Sequence, residues 1–303
     1  MTNPYSEQTP TIINKIKNSW VEYSHALYIV VVIIGIFYSG YESSELKLRI
    51  TLIAILIYYI ITLLFLGYFI HIYARKARYA EAINLAHLAV HKLRDTNMYL
   101  KDCLARRSRY EYAEFKNQIQ KVLSILTESF TLVTGTKCRI CLKFLGTKNN
   151  KELYVTTMCR DLTSEDQSEE KDSAEGTQHT VAKNSDFHSI MSLGRNYFLH
   201  NSINTDQLYE NTSKRFYGNK LPYNSVLVLP IRFKDNDPNN PACNTDGGTV
   251  VGFVAIDSAS RGAFFERYDV HLGAIVADSL FTTLILWKRV HMRNEPKRGE
   301  HKC

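Results

Sequence analysis

The side chains best suited to chemistry lie in two polar and aromatic segments, residues 195–201 and 209–225. Arg and Lys side chains bind phosphate groups, and a Tyr ring can stack on a planar base. Such groups form a binding site where they converge on an apolar pocket. The candidate ligand-binding residues are Arg195, His200, Asn201, Tyr209, Lys214, Arg215, Tyr223, Asn224 and Ser225. The alternative for each is a solvated loop side chain, because loops are polar whether or not they bind a ligand.

No catalytic signature accompanies these residues. The sequence contains no phosphate-binding P-loop, zinc quartet, nucleophile elbow or kinase motif. Cys138 and Cys141 are the only closely spaced pair among six cysteines. On a predicted strand, residues three apart point to opposite faces, so this pair does not predict a metal site. We therefore expect a protein without enzymatic activity or a bound metal, in a reducing compartment.

Two apolar runs, residues 226–231 and 250–256, predict the strands that these polar segments adjoin. Short apolar runs bounded by Gly, Pro, Asn and Asp are typical of strands that are buried on both faces. The connector between them is polar and contains two prolines and a Gly-Gly pair, which indicates a solvated loop. The pattern predicts a hairpin at the centre of an antiparallel sheet.

The rest of this region alternates between helical and extended patterns. Apolar residues recur with helical spacing at 115–133 and 266–291, and Gly135 ends the first of these helices. Residues 161–186 are acidic, rich in serine and poor in apolar side chains, which predicts a long flexible loop. Further short elements are predicted as strands at 138–145, 152–158 and 195–200 and a helix at 187–193.

Over residues 115–290, this order of elements resembles that of a GAF domain, a small sensory module. Residues 223–231 (YNSVLVLPI) and 252–257 (GFVAID) look like the apolar fourth and fifth strands of the family. Phe264 and Phe265, before Asp269, resemble the Phe that commonly precedes the final helix. The resemblance implies an α/β fold with a five- to six-stranded antiparallel sheet and flanking helices. It also implies a small-molecule pocket under a lid, formed here by residues 187–223 with help from the acidic loop.

The resemblance can be tested against the cyclic-nucleotide-binding members of the family. Those members often carry an Asn-Lys pair after the fifth strand, where this chain has Asp257 and Ser258. They also carry Phe-x-x-x-Asp-Glu, which Phe265 and Asp269 match in part. The Lys–Asp salt bridge of that pattern cannot form here.

Two other ligand classes of the family find less support. Bilin-binding members need a suitably placed Cys or His and a Pro-containing loop, and this chain has neither in place. The GAF-type methionine sulfoxide reductases use paired cysteines at the lid, for which Cys159 and Cys243 are the only candidates at loop borders. The expected ligand is thus an unidentified small molecule, with a cyclic nucleotide as one candidate and no metal.

Two apolar segments near the beginning of the chain predict a membrane hairpin. Residues 50–70 are uncharged and apolar, and residues 20–38 form a less uniform first span. A helix needs about 20 such residues to cross the hydrocarbon layer. The alternative is a buried helical hairpin of a soluble protein. Cations flank the outer ends of the pair at Lys15, Lys17, Arg75, Lys76 and Arg78. The positive-inside rule then places the GAF-like region and both termini in the cytoplasm, at the inner (plasma) membrane.

A heptad pattern follows the second span. The apolar positions alternate in spacings of three and four and comprise Ile83, Ala86, Val90, Leu93, Asn97, Leu100 and Leu104. Such a seam is typical of a parallel dimeric coiled coil, and an Asn at an a position commonly selects two strands. The alternative is a single amphipathic helix that packs on its own domain. The resemblance adds that the first and last GAF helices often pair with those of a second subunit.

The basic character of the chain is concentrated in the same region. Residues 75–109 carry nine basic and three acidic side chains and contribute most of the formal net charge of +7. A local excess of this kind beside a membrane span favours contact with lipid headgroups rather than with nucleic acid. We therefore expect membrane lipid as a partner and no nucleic acid.

These observations predict five segments. They are an N-terminal tail (1–19), a two-span transmembrane hairpin (20–74), a basic linker helix or coiled coil (75–112), a GAF-like sensor domain (113–292) and a tail (293–303).

The function expected from this organisation is that of a membrane-anchored, non-enzymatic sensor. A small molecule, with a nucleotide among the candidates, would bind the GAF-like domain and act through a dimeric helix on the membrane or an output protein. One alternative is a nucleotide-gated two-span effector that permeabilises the inner membrane, as in antiviral defence. Another is a structural dimerisation module for a partner kinase. The first hypothesis rests on a GAF-like pattern that an uninterrupted helix joins to the membrane, and the second on a two-span hairpin without another recognisable output region.

Overall fold

The computed structural model describes residues 35, 44–148, 152–165, 178–212, 221–234 and 248–294. The predicted first span therefore lies outside the described residues apart from Gly35, as do Lys214, Arg215, Cys243 and most of the acidic loop. The chain divides into two compact units, Met1–Ala74 and Arg75–Cys303.

Five helices and six strands make up the described chain. The helices are α1 (Ser44–Leu104), α2 (Tyr112–Thr134), α3 (Leu162–Glu165), α4 (Ser185–Met191) and α5 (Glu266–Asn294). The strands are β1 (Cys138–Lys148), β2 (Glu152–Arg160), β3 (Gln178–Thr180), β4 (Phe198–His200), β5 (Ser225–Lys234) and β6 (Gly248–Ser258). Short 3₁₀ turns lie at Val181–Lys183 and Ile203–Thr205. The order of the main helices and strands is the predicted one. The prediction of a flexible loop over residues 161–186 is wrong for its described ends, because α3, β3, the turn at Val181–Lys183 and the start of α4 lie there.

In the first unit, helix α1 contains the predicted second span. Within the described chain, α1 and α5 are both long and apolar enough to cross a membrane. Their surroundings differ, because Leu64 and Ile70 of α1 are exposed whereas Leu280 and Leu284 of α5 are buried in a core. An exposed apolar surface of this kind is typical of a contact with a membrane or another protein. Membrane topology remains a prediction.

In the second unit, the sheet has six strands in the order β3-β2-β1-β6-β5-β4, and all pairings are antiparallel. Strand β6 lies at its centre and pairs with β5 from Ser225↔Ser258 to Lys234↔Gly248, so the predicted hairpin is confirmed. The predicted fold class is also confirmed, with six strands rather than five. The element order and this sheet make the domain GAF-like.

The face of the sheet that carries the helices holds the larger core. Phe115, Ile119 and Phe130 of α2 and Leu280 of α5 are fully buried against it. Burying side chains of this size stabilises the fold by about 1.5–3 kcal/mol each. Cys138 contributes to this core and Cys141 to the opposite one, as expected for residues three apart on a strand. Burial raises the pKa of the Cys138 thiol to about 11, which makes this cysteine a packing residue.

The second half of α1 packs on the same core. Its buried stripe comprises Ala82, Ala86, Ala89, Leu93, Thr96, Leu100 and Cys103. The Ser129 hydroxyl of α2 donates a 2.8 Å hydrogen bond to the Ala82 carbonyl and holds the two helices together. Of the predicted heptad seam, Ala86, Leu93 and Leu100 thus serve the subunit's own core. Ile83 and Val90 remain 59% and 41% exposed. The helix therefore carries two overlapping apolar stripes, only one of which is covered within the subunit.

Candidate functional site

The sheet face opposite the helices, hereafter the lid face, is covered by α4 and by the segments around β4. Phe187 of α4 lies against Phe253 of β6, with ring centroids 4.9 Å apart. The remaining buried apolar side chains of this cluster include Leu145, Val155, Ile190, Phe198, Ile203, Val228 and Val250. These residues form a second core, smaller than the first, in which any polar group is conspicuous.

A carboxyl group and an ammonium group face this apolar cluster. Asp186, at the start of α4, is only 6% exposed, and its Oδ1 accepts a 2.9 Å hydrogen bond from the Phe187 N–H. Burial raises the pKa of the Asp186 carboxyl to about 6, although that N–H and the charge of Lys143 both act in the opposite direction. The Lys143 ammonium lies 5.9 Å from the Phe187 ring centroid and donates a 3.0 Å hydrogen bond to the Thr157 hydroxyl.

Two tyrosine hydroxyls meet beside the same carboxyl. The Asn211 amide donates hydrogen bonds of 3.1 Å to the Tyr209 hydroxyl and 3.2 Å to the Tyr223 hydroxyl. Burial raises the pKa of both tyrosines, and the negative charge of Asp186 raises each further. Both hydroxyls therefore stay neutral at physiological pH, so they can position a ligand by hydrogen bonding and cannot act as a general base.

His200 lies next to this group, but both of its ring nitrogens are engaged. Nε2 lies 2.8 Å from the Asp206 carboxylate, and Nδ1 accepts a 3.1 Å hydrogen bond from the Ser202 N–H. The ring also lies 6.3 Å from that of Tyr209. These contacts connect β4 to the turn after it. His200 therefore stabilises the backbone beside the site.

Asn201, Asn224 and Ser225 lie together at a different place, where they hold the segment between β6 and α5. The Asn201 amide donates to the Phe264 carbonyl at 2.8 Å and accepts from the Phe264 N–H at 3.0 Å. The Asn224 amide donates to the Ala259 carbonyl at 2.7 Å. The buried Ser225 hydroxyl donates to the Ser260 carbonyl at the same distance. Residues 259–264 are thus clamped from the lid side.

The structure therefore divides the nine candidate residues into groups. It brings Tyr209 and Tyr223 together in a buried polar cluster with His200 beside them, and it gathers Asn201, Asn224 and Ser225 into the clamp. Arg195 is exposed on the turn after α4. Lys214 and Arg215 lie outside the described residues.

Sequence reasoning missed three polar residues of the cluster, namely Lys143, Asp186 and Asn211. Lys143 offered a signal, because it is one of two charged residues, with Arg139, in the otherwise apolar run CRICLKFL of β1. Asp186 offered none, since it ends a segment in which many acidic side chains precede it and only the tertiary fold buries it. Asn211 was one of several polar residues in a predicted loop.

The structure also bears on the ligand classes suggested by the resemblance. Asp257 pairs with Arg139, whose Nε donates a 2.7 Å hydrogen bond to Oδ1. Burial raises the pKa of the Asp257 carboxyl, and Arg139 offsets part of that effect. Cys159 is buried in the helix-side core and so does not face the lid. Within the described ranges, no group of three or more His, Cys, Asp or Glu side chains could hold a metal ion.

The solved structures to which this chain is similar are distant from it in sequence. No family model and no curated protein matches this chain. Among solved structures, it is similar to the GAF domain of the Acinetobacter phosphoenolpyruvate-protein phosphotransferase, with 10% identity over 70% of this chain and 98% of that one, and a TM-score of 0.40. It is also similar to the type II free methionine-R-sulfoxide reductase of Thermoplasma acidophilum, with 13% identity over 57% and 95% of the two chains, and a TM-score of 0.38.

A third similar structure is the chromophore-binding domain of a bacteriophytochrome from R. palustris. The identity is 10% over 71% of this chain and 63% of that one, and the TM-score is 0.33. Values of this size assign no ligand or activity to the present chain. Its GAF-like fold follows from its own element order and sheet topology.

Proposed function

We propose that this protein is a membrane-anchored, non-enzymatic sensor that binds a small molecule on the lid face and passes the resulting change to helix α1. The observation that carries the proposal is Asp186, a carboxyl group buried beside Tyr209 and Tyr223. A buried carboxyl with a raised pKa destabilises the fold at neutral pH. Groups retained at such a cost are concentrated at functional sites.

The clamp supplies the first step from the lid face towards the helices. Asn201 directly follows β4 and exchanges two hydrogen bonds with the backbone of Phe264, and its carbonyl accepts a third from the Gly262 N–H. A ligand that shifts β4 or the turn after it would also displace residues 259–264, because these three hydrogen bonds make the segment move together with Asn201.

The second step runs through Asp269 near the start of α5. This fully buried carboxylate accepts a 2.7 Å hydrogen bond from the Phe265 N–H through Oδ2. Its Oδ1 accepts a 3.1 Å hydrogen bond from the hydroxyl of Tyr79, which lies on α1. The Tyr79 ring also lies 5.2 Å from that of Tyr268. A displacement of the segment before α5 is thereby coupled to α1, the helix that contains the predicted second span.

Asn201→Ala should uncouple this path. The change removes both side-chain hydrogen bonds to Phe264, so we expect the free energy of unfolding to fall by about 2 kcal/mol, at roughly 1 kcal/mol per bond. Amide hydrogen exchange should accelerate at residues 259–265 and also around Tyr79. Asn196→Ala is the matched control, because the Asn196 amide accepts its hydrogen bond from Arg232 of β5 and not from residues 259–264. Faster exchange confined to residues 259–265 would contradict the coupling to α1.

The uncovered stripe of α1 supports the homodimer that the heptad predicted. Together with α5, it borders an apolar groove of about 230 Å³ whose lining includes Ile83, Val90 and the 56% exposed Ile275. Within the described chain, the buried Oδ1 of Asn97 has no hydrogen-bond partner. A second copy at this stripe would cover these apolar side chains.

Asn97→Val should therefore change the oligomeric state. A buried Asn at an a position favours two strands, and an apolar residue there relaxes that preference. We expect the full chain in detergent to shift from dimer towards higher oligomers, as measured by light scattering and by crosslinking in membranes. Met98→Gln, at the exposed neighbouring position, is the control. Crosslinking that shows only monomers of the wild type would contradict the dimer.

The permeabilising effector is the second candidate function, and the exposed apolar surface of α1 favours it. Expression with an activating ligand would then arrest growth and admit a membrane-impermeant dye. Deletion of residues 20–72 should abolish both effects, whereas a sensor that signals to a partner would cause neither.

Calorimetry tests the sensor proposal directly. The full chain in detergent is titrated with a panel of cyclic nucleotides, other nucleotides and small metabolites. We expect one ligand class to bind and Tyr223→Phe to weaken that binding by removing a hydroxyl from the site. The absence of any binder, together with a crystal structure in which side chains fill the lid face completely, would overturn the proposal.

A further inference from the structure

Two histidines on α1 bring their ring nitrogens together away from the lid face. His87 and His91 are four residues apart, so they lie one turn apart on the same side of the helix. Their Nε2 atoms are 2.7 Å apart, and their ring centroids are 4.4 Å apart at an interplanar angle of 81°. His87 is exposed and also lines the groove between α1 and α5.

We propose that His87 and His91 together bind a first-row transition-metal dication, such as Cu²⁺, Ni²⁺ or Zn²⁺. Imidazole is a favoured ligand of all three metals. A metal that lies about 2.0–2.1 Å from two nitrogens at an angle near 90–110° holds them roughly 2.8–3.4 Å apart. The observed separation is a few tenths of an ångström shorter, so a small rotation of either ring creates the site.

Without a metal, the same contact is a hydrogen bond in which one Nε2–H donates to the other Nε2, with the roles set by the tautomers. Metal binding requires both Nε2 lone pairs, so the donor ring must give up its Nε2 proton. The helix thus already holds one lone pair and one exchangeable proton at the position that a metal would occupy.

The surroundings determine what kind of site this is. In the described part of the chain, no third His, Cys, Asp or Glu side chain joins the pair, so water must complete the coordination. Lys92 and Arg94 follow closely on the same helix, and their charge opposes that of a dication, while Asp95 offsets part of it. We therefore expect moderate affinity, strongest for Cu²⁺ in keeping with the order of divalent metal affinities.

A metal bound here would also act on the helix itself. It would join two successive turns of α1 at the rim of the groove and stabilise the folded state in proportion to its occupancy. Because the pair lies outside the lid face, this site is separate from the proposed small-molecule pocket.

The test is titration of the purified, metal-free full chain with CuCl₂. We expect one Cu²⁺ per chain to show an electron paramagnetic resonance spectrum with two equivalent nitrogens, and NiCl₂ to raise the thermal midpoint. His87→Asn and His91→Asn should each weaken binding by about tenfold, equivalent to about 1.4 kcal/mol. His271→Asn, at an exposed histidine of α5, should have no effect.

A second variant distinguishes loss of the metal site from an indirect effect of the substitution on folding. His91→Asn combined with Lys92→His keeps two imidazoles on the exposed helix but spaces them five residues apart, where they do not share a face. It should bind as weakly as His91→Asn alone. The proposal is overturned if the wild type binds no copper, if the single variants bind as tightly as the wild type, or if the respaced variant does.

Discussion

Replacing Asp186 with Asn should raise the free energy of unfolding above pH 6 and leave it nearly unchanged below pH 4. The ordinary pKa of an Asp is 3.8, and burial on the lid face raises that of Asp186 to about 6. Between these values the folded state binds more protons than the unfolded state, so stability falls as the pH rises through this window. Two pKa units correspond to about 3 kcal/mol, which is the upper limit of the gain.

The structure makes Asn a close replacement at this position. The side-chain carbonyl of Asn can still accept the hydrogen bond from the Phe187 N–H, so the change removes the charge and keeps the local geometry. We expect the same variant to bind the lid-face ligand more weakly. A gain in stability accompanied by a loss of binding is the pattern expected of a residue retained for function.

Urea denaturation of the full chain at a series of pH values measures the effect. Asp278→Asn, at an exposed position of α5, is the control and should leave the pH dependence unchanged. A variant that matches the wild type at pH 7.5, or gains as much at pH 4 as at pH 7.5, would show that the Asp186 carboxyl is not buried in its charged form.

Gly252→Ala should destabilise the domain by at least about 3 kcal/mol, at the upper end of the usual cost of overpacking. Gly252 lies in the central strand β6 opposite Phe144, and a Cβ atom there would lie 2.4 Å from the Lys143 carbonyl oxygen. That oxygen belongs to the backbone of β1, which is paired on both sides. Neither strand can move away without breaking hydrogen bonds of the sheet.

Gly273→Ala is the matched comparison. Its added Cβ would lie 2.5 Å from Leu229 Cδ1, the end of a side chain that can change rotamer. Alanine in the interior of α5 also gains about 1 kcal/mol of helix propensity over glycine. We therefore expect a much smaller loss, measured for both variants by denaturant unfolding of the full chain. Equal losses would mean that β1 adapts as readily as a leucine side chain does.

Much of the fold could be predicted because local patterns and burial agree. The two apolar runs of the central hairpin correspond to β5 and β6, because strands that are buried on both faces need apolar residues throughout. The helices α2 and α5 followed from apolar spacing near 3.6 residues. Cys138 and Cys141 lie on opposite faces because side chains alternate along a strand.

The linker helix shows where local patterns stop being sufficient. Ala86, Leu93 and Leu100 belong both to the predicted heptad and to the stripe that packs on the subunit's own core. A heptad describes any face with spacings of three and four, so it predicts that a stripe will be buried without identifying the partner. The partner depends on where α2 and α5 lie, which is a property of the whole domain.

The candidate ligand-binding residues show the same limit. The clustering of polar and aromatic side chains between residues 195 and 225, beside two buried strands, is visible in the sequence. Only the folded chain shows that Tyr209 and Tyr223 meet and that Asn201 joins the clamp instead. It also shows that Asp186 is the buried carboxyl group between the lid and the sheet. Burial of a charged group depends on the residues that cover it. Those residues come from distant parts of the chain, so no local sequence pattern reveals that the group is buried.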